Sequence, residues 1–172
     1  MRLKAKITYP STLVLNLQGF AKGGSAAQAV LMSTMTDLAI KLQVLVKLKL
    51  SGEVLNVRSG ALRRSIGYSV VPTPAGPTAS VFSRGVPYAA IHEFGGTTKP
   101  HLIEAKNAQA LRFYSNRWAM MIYRKSVNHP GSVIPERSYL RSALREMEPE
   151  IRRELLRALI KQIGVNEGYI LP

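Results

Sequence analysis

The sequence predicts an α+β fold, an antiparallel sheet with a long N-terminal helix and a C-terminal helix packed on it. Three observations predict it. Apolar residues recur at helical spacing over two long stretches, one towards each end. Short alternating segments precede the first of these stretches. Between the two, a pair of β-like segments meets across a proline- and glycine-rich turn.

Each element follows from local chemistry. Leu3, Ala5 and Ile7 alternate with Lys4, Lys6 and Thr8, and Leu13, Leu15 and Leu17 alternate with Val14, Asn16 and Gln18. Pro10-Ser11 separates these two segments. Gly19 to Ser25 reads as a Gly-rich loop, with Ser25 a candidate cap for the helix behind it. From Ala26 to about Leu50, the residues Val30, Leu31, Met35, Leu38, Leu42, Leu45 and Val46 mark a long amphipathic helix with one face on a sheet. Ser51-Gly52 should end it.

Val57 to Ile66 then offers a turn at Gly60 and a brief helical turn after it. Ile66 to Val71 and Thr78 to Ser83 are predicted to pair as a hairpin across Pro72 to Pro77. Val86 to Gly96 is apolar and abruptly glycine-terminated. Over 97–135 a β-rich insert is expected, with strands at His101 to Glu104, Leu111 to Tyr114 and Met120 to Val127. Trp118 to Tyr123 is equally compatible with a helix, and Asn128-His129-Pro130-Gly131 reads as a turn. From Glu136 a helical pattern resumes through Tyr139, Leu140, Ala143, Leu144 and Met147. Pro149 is expected to break or kink it before Ile151, Leu155, Leu156, Leu159 and Ile163 continue. Residues 164–172 form a tail, and with no repeat or low-complexity linker the 172 residues read as a single domain.

Composition narrows the class. Twenty-four Lys and Arg face ten Asp and Glu, a formal charge of +14 and a pI near 10.5. No acid occurs between Glu53 and Glu93, nor from Ala105 to Pro135. Such an excess favours a polyanionic neighbour, either nucleic acid or an acidic protein surface, over a merely solvated basic surface. The absence of cysteine excludes disulfides, thiolate metal sites and a Cys nucleophile. No uninterrupted apolar run approaches the roughly 18 to 20 residues that a bilayer requires, so no membrane role is expected. The N-terminus carries no signal-peptide pattern.

Catalytic signatures are sparse. There is no GxGxxG, P-loop or HExxH pattern, and His92-Glu93 is adjacent where a zinc motif needs two histidines four residues apart. His92, His101 and His129 have no spacing that demands a metal. Glu93 beside His92 is a candidate base, but a lone acid in basic surroundings more readily pairs with an arginine such as Arg63 or Arg64. A nuclease would need several clustered carboxylates to hold a hard cation. No cofactor, metal or catalytic residue is therefore expected, and the chain reads as a non-enzyme. Phe113, Tyr114, Trp118 and Tyr123 interleave with Arg112, Arg117 and Arg124, a composition suited to base stacking with phosphate contact. Subunit contact is the preferred reading, because no helix-turn-helix or RNA-binding pattern accompanies them.

Val57-Arg58-Ser59-Gly60-Ala61-Leu62-Arg63-Arg64-Ser65-Ile66 resembles the VRTGxLRxSI segment of tailed-bacteriophage minor tail or tail-completion proteins. That family's YAxxxEFG motif is matched by Tyr88-Ala89-Ala90-Ile91-His92-Glu93-Phe94-Gly95. Its RPFLRPAL segment, opening a C-terminal helix, is similar to Glu136-Arg137-Ser138-Tyr139-Leu140-Arg141-Ser142-Ala143-Leu144. The insert of longer relatives, H-x-I then ALRF then V-x-HPG, is similar to His101-Leu102-Ile103, Ala110-Leu111-Arg112-Phe113 and Val127-Asn128-His129-Pro130-Gly131. The departures are Ser59 for Thr, Ser138-Tyr139 for Pro-Phe and Ser142 for the second Pro.

The family-like core spans 26–163, and the N-terminal β-like segment lies outside it. The resemblance implies a virion protein at the head–tail junction, made in the host cytoplasm, a neck or tail-completion component that enables head–tail joining. It implies a self-assembled ring, a hexamer, between the connector or adaptor and the tail terminator or tail tube. Arg58, Arg63, Arg64, Tyr88, Glu93, Phe94, Tyr139 and Leu140 are the expected assembly contacts, with Phe94, Tyr139 and Leu140 alternatively core. Arg84, Lys106, Arg112, Arg117, Arg124 and Lys125 are the expected basic residues towards DNA in the lumen. The alternative is a basic nucleic-acid-binding protein acting in DNA packaging.

Overall fold

A computed structural model describes residues 3–8, 12–17, 25–73 and 76–163. The Pro10-Ser11 break, the loop before Ser25, the Ser25 side chain, part of the turn after Val71 and the tail from Gly164 lie outside the described residues. The chain forms two compact units, Met1–Phe94 with Glu136–Pro172, and Gly95–Pro135. The second corresponds to the insert expected over 97–135.

The first unit has the predicted α+β architecture. β1 (Leu3–Thr8) and β2 (Thr12–Leu17) pair antiparallel, Leu3 opposite Leu17 and Thr8 opposite Thr12. α1 (Ser25–Leu48) follows and passes into a π-type turn over Lys49–Glu53, where Gly52 turns to positive φ. The short α2 (Ala61–Ser65) leads into β3 (Ile66–Val71), which pairs with β4 (Thr78–Ser83) as the expected hairpin, Ile66 opposite Ser83 and Val71 opposite Thr78. The four strands form one antiparallel sheet in the order β1-β2-β4-β3. α3 (Ala89–Phe94) closes the first half, and α4 (Leu140–Ile163) packs back on α1.

Helical periodicity explains the packing. Leu31, Met35, Leu38, Leu42 and Val46 recur every three or four residues of α1 and are all buried. They join Ala143, Met147, Ile151 and Leu155 of α4 and Ile66, Ala79 and Val81 of the sheet in one cluster. Each fully buried Leu, Ile or Met side chain contributes about 1.5–3 kcal/mol, so this layer of two helices on a sheet carries the unit. Gln43 fastens α1 to β3 by donating to the Ile66 carbonyl at 2.8 Å. Lys49, almost wholly buried, meets Glu53 and Glu146 at 2.8 Å each. Those two carboxylates raise its ammonium above the usual lysine range, Glu146 foremost.

Two expectations are corrected here. The C-terminal helix does not break at Pro149 but runs unbroken from Leu140 to Ile163. Pro149 lies on the exposed face, where the Arg145 carbonyl it leaves without an amide donor is open to water. The stretch Gln28–Glu53 is also long and apolar enough to cross a membrane by length and composition, with a mean hydropathy of 1.5. No apolar stretch of that length was expected. Its inner face is committed to the α4 and sheet contacts just described.

The second unit is a set of two-stranded ladders. β5 (Gly96–Thr97) pairs with β10 (Val133–Ile134), β6 (His101–Glu104) with β9 (Ser126–His129), and β7 (Leu111–Ser115) with β8 (Met120–Arg124). The single strand expected over Met120 to Val127 therefore divides at Lys125, and its halves serve different partners. Trp118 lies in the turn between β7 and β8 rather than in a helix. Asn128 and His129, expected in a turn with Pro130-Gly131, end β9 instead, and Gly131 follows at φ +90°, where a Cβ would collide with the Thr98 carbonyl oxygen. No residue of 95–135 is buried.

Candidate functional site

The site begins at the turn after the π-type segment. The Ala61 N–H donates to Ser59 Oγ at 3.3 Å, and Gly60 takes a left-handed conformation at φ +70°. A Cβ on Gly60 would stand 2.9 Å from Arg64 Nη1, so glycine suits both the turn and the space. The Arg64 N–H donates to the Gly60 carbonyl at 2.9 Å. The end of α2 is pinned to the hairpin, with Ser65 Oγ 2.7 Å from Ser83 Oγ and the Arg84 N–H donating to the Ser65 carbonyl at 3.1 Å. The Val57–Ile66 segment is thus a fixed wall and not a free loop.

α3 supplies the facing wall. Tyr88 precedes it and sets its ring edge-on to His92, centroids 5.9 Å apart and planes at 85°. The His92 carbonyl accepts the Arg137 N–H at 2.8 Å, drawing the approach to α4 alongside. Between these walls lies a cleft of about 490 Å³. Its apolar lining includes Leu50, Leu55, Val57 and Leu62, and its polar lining includes Arg58, Arg63, Arg137, Tyr88 and His92.

The cleft is electrostatically one-sided. No acidic residue lines it. Arg58, Arg63 and Arg137 have no ion pair among the described residues, whereas Arg141, Arg152, Arg153 and Arg157 each meet a carboxylate. Burial, and after it the positive charge of Arg137, lowers the His92 ring below the ordinary imidazole range. The ring is therefore neutral at physiological pH, and its Nδ1 is buried without a hydrogen-bond partner among the described residues.

Directly behind the cleft stands Glu93, 0% exposed. Its Oε2 accepts the N–H groups of Tyr139 and Leu140, both at 2.8 Å. Its Oε1 accepts the Arg141 N–H at 3.0 Å, Ser138 Oγ at 2.8 Å and Arg141 Nε at 3.1 Å. Arg141 Nη2 completes the clasp at the Glu93 carbonyl and at Glu136 Oε1, 2.8 Å each, while its guanidinium lies 4.8 Å from the Phe94 ring centroid. The free amides at the start of α4 are thus capped by a carboxylate some 46 residues away in the chain. The first turn of α4 contains no acid of its own. Tyr139 adds a hydrogen bond from its hydroxyl to the Ala89 carbonyl at 3.2 Å.

The predicted contact residues therefore divide. Arg58, Arg63 and Tyr88 converge on the cleft, and exposed Arg64 stands beside its turn. Tyr139 and Leu140 are core, each 0% exposed, the alternative the sequence left open for them. Phe94 is exposed beneath Arg141. Glu93, expected as an assembly contact, is instead internal: it pairs with an arginine, as the alternative had it, but with Arg141 rather than Arg63 or Arg64, and both its oxygens are spent on the α4 amides and their neighbours. Sequence reasoning missed Arg137, Ser138 and Arg141. A usable signal was present: a helix without an acid in its first turn, and one isolated acid upstream in a basic stretch.

The predicted basic residues do not form one stripe. Arg84 lies in the first unit, its guanidinium 5.2 Å from the Phe82 ring centroid. On the β7–β8 ribbon, Arg112 sits opposite Tyr123 and Arg124 opposite Leu111, which places the two arginines on opposite faces. Arg117 lies over the Trp118 ring at 5.9 Å. His101 and His129 stack at 5.1 Å. No group of three acidic or histidine side chains able to hold a metal ion occurs among the described residues. Comparison with family profiles, with curated proteins and with solved structures finds no match to this chain.

Proposed function

We propose that this chain is a structural protein of a tailed-bacteriophage particle, a neck or tail-completion component at the head–tail junction, and that it performs no catalysis. One observation carries the reading. The three segments that resemble the tail-completion family, 57–66, 88–95 and 136–144, meet around a single feature. The first forms one wall of the cleft, the second the other, and Glu93 of the second caps the helix opened by the third. The second and third segments are bonded to one another and the first lines the same cleft, which a chance match of three short motifs would not require.

The chemistry is that of a docking surface. Glu93 has no lone pair left for a substrate, and His92 has no carboxylate to orient it. A protein that joins two sub-assemblies needs fixed walls, unpaired charge and exposed apolar side chains, and all three are present. In this reading copies close into a ring, a hexamer, against the connector on one side and tail components on the other. Two different contact patches per subunit suffice for closure. A basic ring also eases the passage of DNA through its lumen.

The test is electron microscopy of particles assembled without the protein. Full heads and finished tails that fail to join are expected, and joined, infective particles would refute the reading. The competing reading, a DNA-binding protein of packaging, predicts empty heads and tight duplex binding by the isolated chain with a steep salt dependence. Arginines divided between both faces of the β7–β8 ribbon favour it less.

A further inference from the structure

We infer that the cleft between α2 and α3 is a binding site for an acidic segment of a partner protein, received carboxylate-first by Arg58, Arg63 and Arg137. The inference rests on the proposed reading at one point only, that the partner is a protein of the particle.

The argument starts from charge left unspent. In the first unit Arg141, Arg152, Arg153 and Arg157 of α4 and the Lys41 and Lys49 ammonium groups of the α1 side are matched by carboxylates within the fold. Three guanidinium groups around one cleft are not, and the cleft lining contains no acid. Guanidinium forks bind carboxylates with two parallel hydrogen bonds, and bringing three together without an anion costs mutual repulsion that a ligand would remove.

A second observation points the same way. His92 Nδ1 is buried at the cleft with no partner, a cost that a polar ligand group reaching it would relieve. The Tyr88 ring stands against His92 and closes that side.

Shape selects a peptide over a duplex. The cleft holds about 490 Å³ and is floored by Leu50, Leu55 and Leu62, so it suits one or two side chains that are acidic and apolar in turn. A duplex, far wider than the cleft, would engage convex basic ridges instead and leave these leucines uncovered. The Gly60 turn and α2 are tied to the sheet, so the site exists before its ligand arrives.

The experiment titrates the full chain into a fluorescein-labelled twelve-residue peptide of alternating Glu and Leu, read by anisotropy. A Gln-for-Glu version and a twenty-base-pair DNA duplex serve as comparison probes. We expect the Arg58→Gln/Arg63→Gln variant to bind the acidic peptide at least tenfold more weakly. The Arg112→Gln/Arg124→Gln variant, with the same loss of charge, should change it less than twofold. The Gln peptide should also bind at least tenfold more weakly. In the unaltered protein, the acidic peptide should shift the His92 ring resonances in nitrogen–proton spectra ahead of those of His101 and His129. That readout does not depend on any variant folding. Equal losses in the two double variants would mean charge attraction without a site and would overturn the inference. Duplex binding that is lost in the cleft variant alone would also overturn it, by making the ligand a nucleic acid. Failure here would leave the particle-joining phenotype untouched, and joined particles without the protein would leave the peptide titration untouched, so the two claims fail separately.

Discussion

Glu93 shows what a single residue does in this fold. Its carboxylate, itself 0% exposed, takes three backbone amides at the start of α4 and the partly exposed Arg141 side chain. Removing one member of such a buried pair leaves charge and amides uncompensated, which costs about 3–5 kcal/mol. Glu93→Ala should lose that much in urea denaturation, and Glu93→Gln, which keeps an acceptor oxygen, clearly less. A loss below about 1 kcal/mol in the alanine variant would show that α4 is capped by other means. The sequence marked Glu93 as unusual, an acid isolated between basic stretches that should pair with an arginine, but its pattern did not say which arginine. Arg141 lies 48 positions away, and only the return of α4 beside α3 brings it there. Arg58, Arg63 and Tyr88 were legible as a set because one motif supplied each wall. Arg137 was not, since its place depends on the backbone bond to His92.

At the scale of elements, strong periodicity translated directly into structure. α1 and the β3–β4 hairpin lie where apolar spacing and turn residues put them, whereas the insert keeps its β character with different strand bounds. Pro149 does not end α4, because the packing of the helix on either side of it outweighs the lost hydrogen bond at an exposed position. The β7–β8 ribbon poses a different problem. Tyr114 and Tyr123 are 58% and 61% exposed, Trp118 and Met120 57% each, and an isolated two-stranded ribbon is only marginally stable in water. α1 carries a similar outward ridge at Ile40, Val44 and Leu48, one helical turn apart. Exposed apolar side chains grouped in this way belong to contacts with other chains more often than to solvent. Tyr114→Ser and Tyr123→Ser should therefore leave the thermal midpoint of the isolated chain within about 2 °C of the original by circular dichroism, as exposed substitutions usually do. A fall of more than about 5 °C would place those rings in the stability of the chain itself.

For the whole molecule, a charge of +14 is distributed unevenly: most cations of α4 meet carboxylates, while the cleft and the insert keep their excess. That pattern suits a protein whose surfaces are completed by neighbours, and it supports assembly over catalysis as the central claim. The most direct test is a density map of the particle at side-chain detail. The account predicts this chain as a closed ring between head connector and tail, with the Arg58–Arg63–Arg137 cleft filled by an acidic segment of a neighbouring protein. Density for the chain at the distal tail tip or inside the head, or its absence from the mature particle, would contradict it.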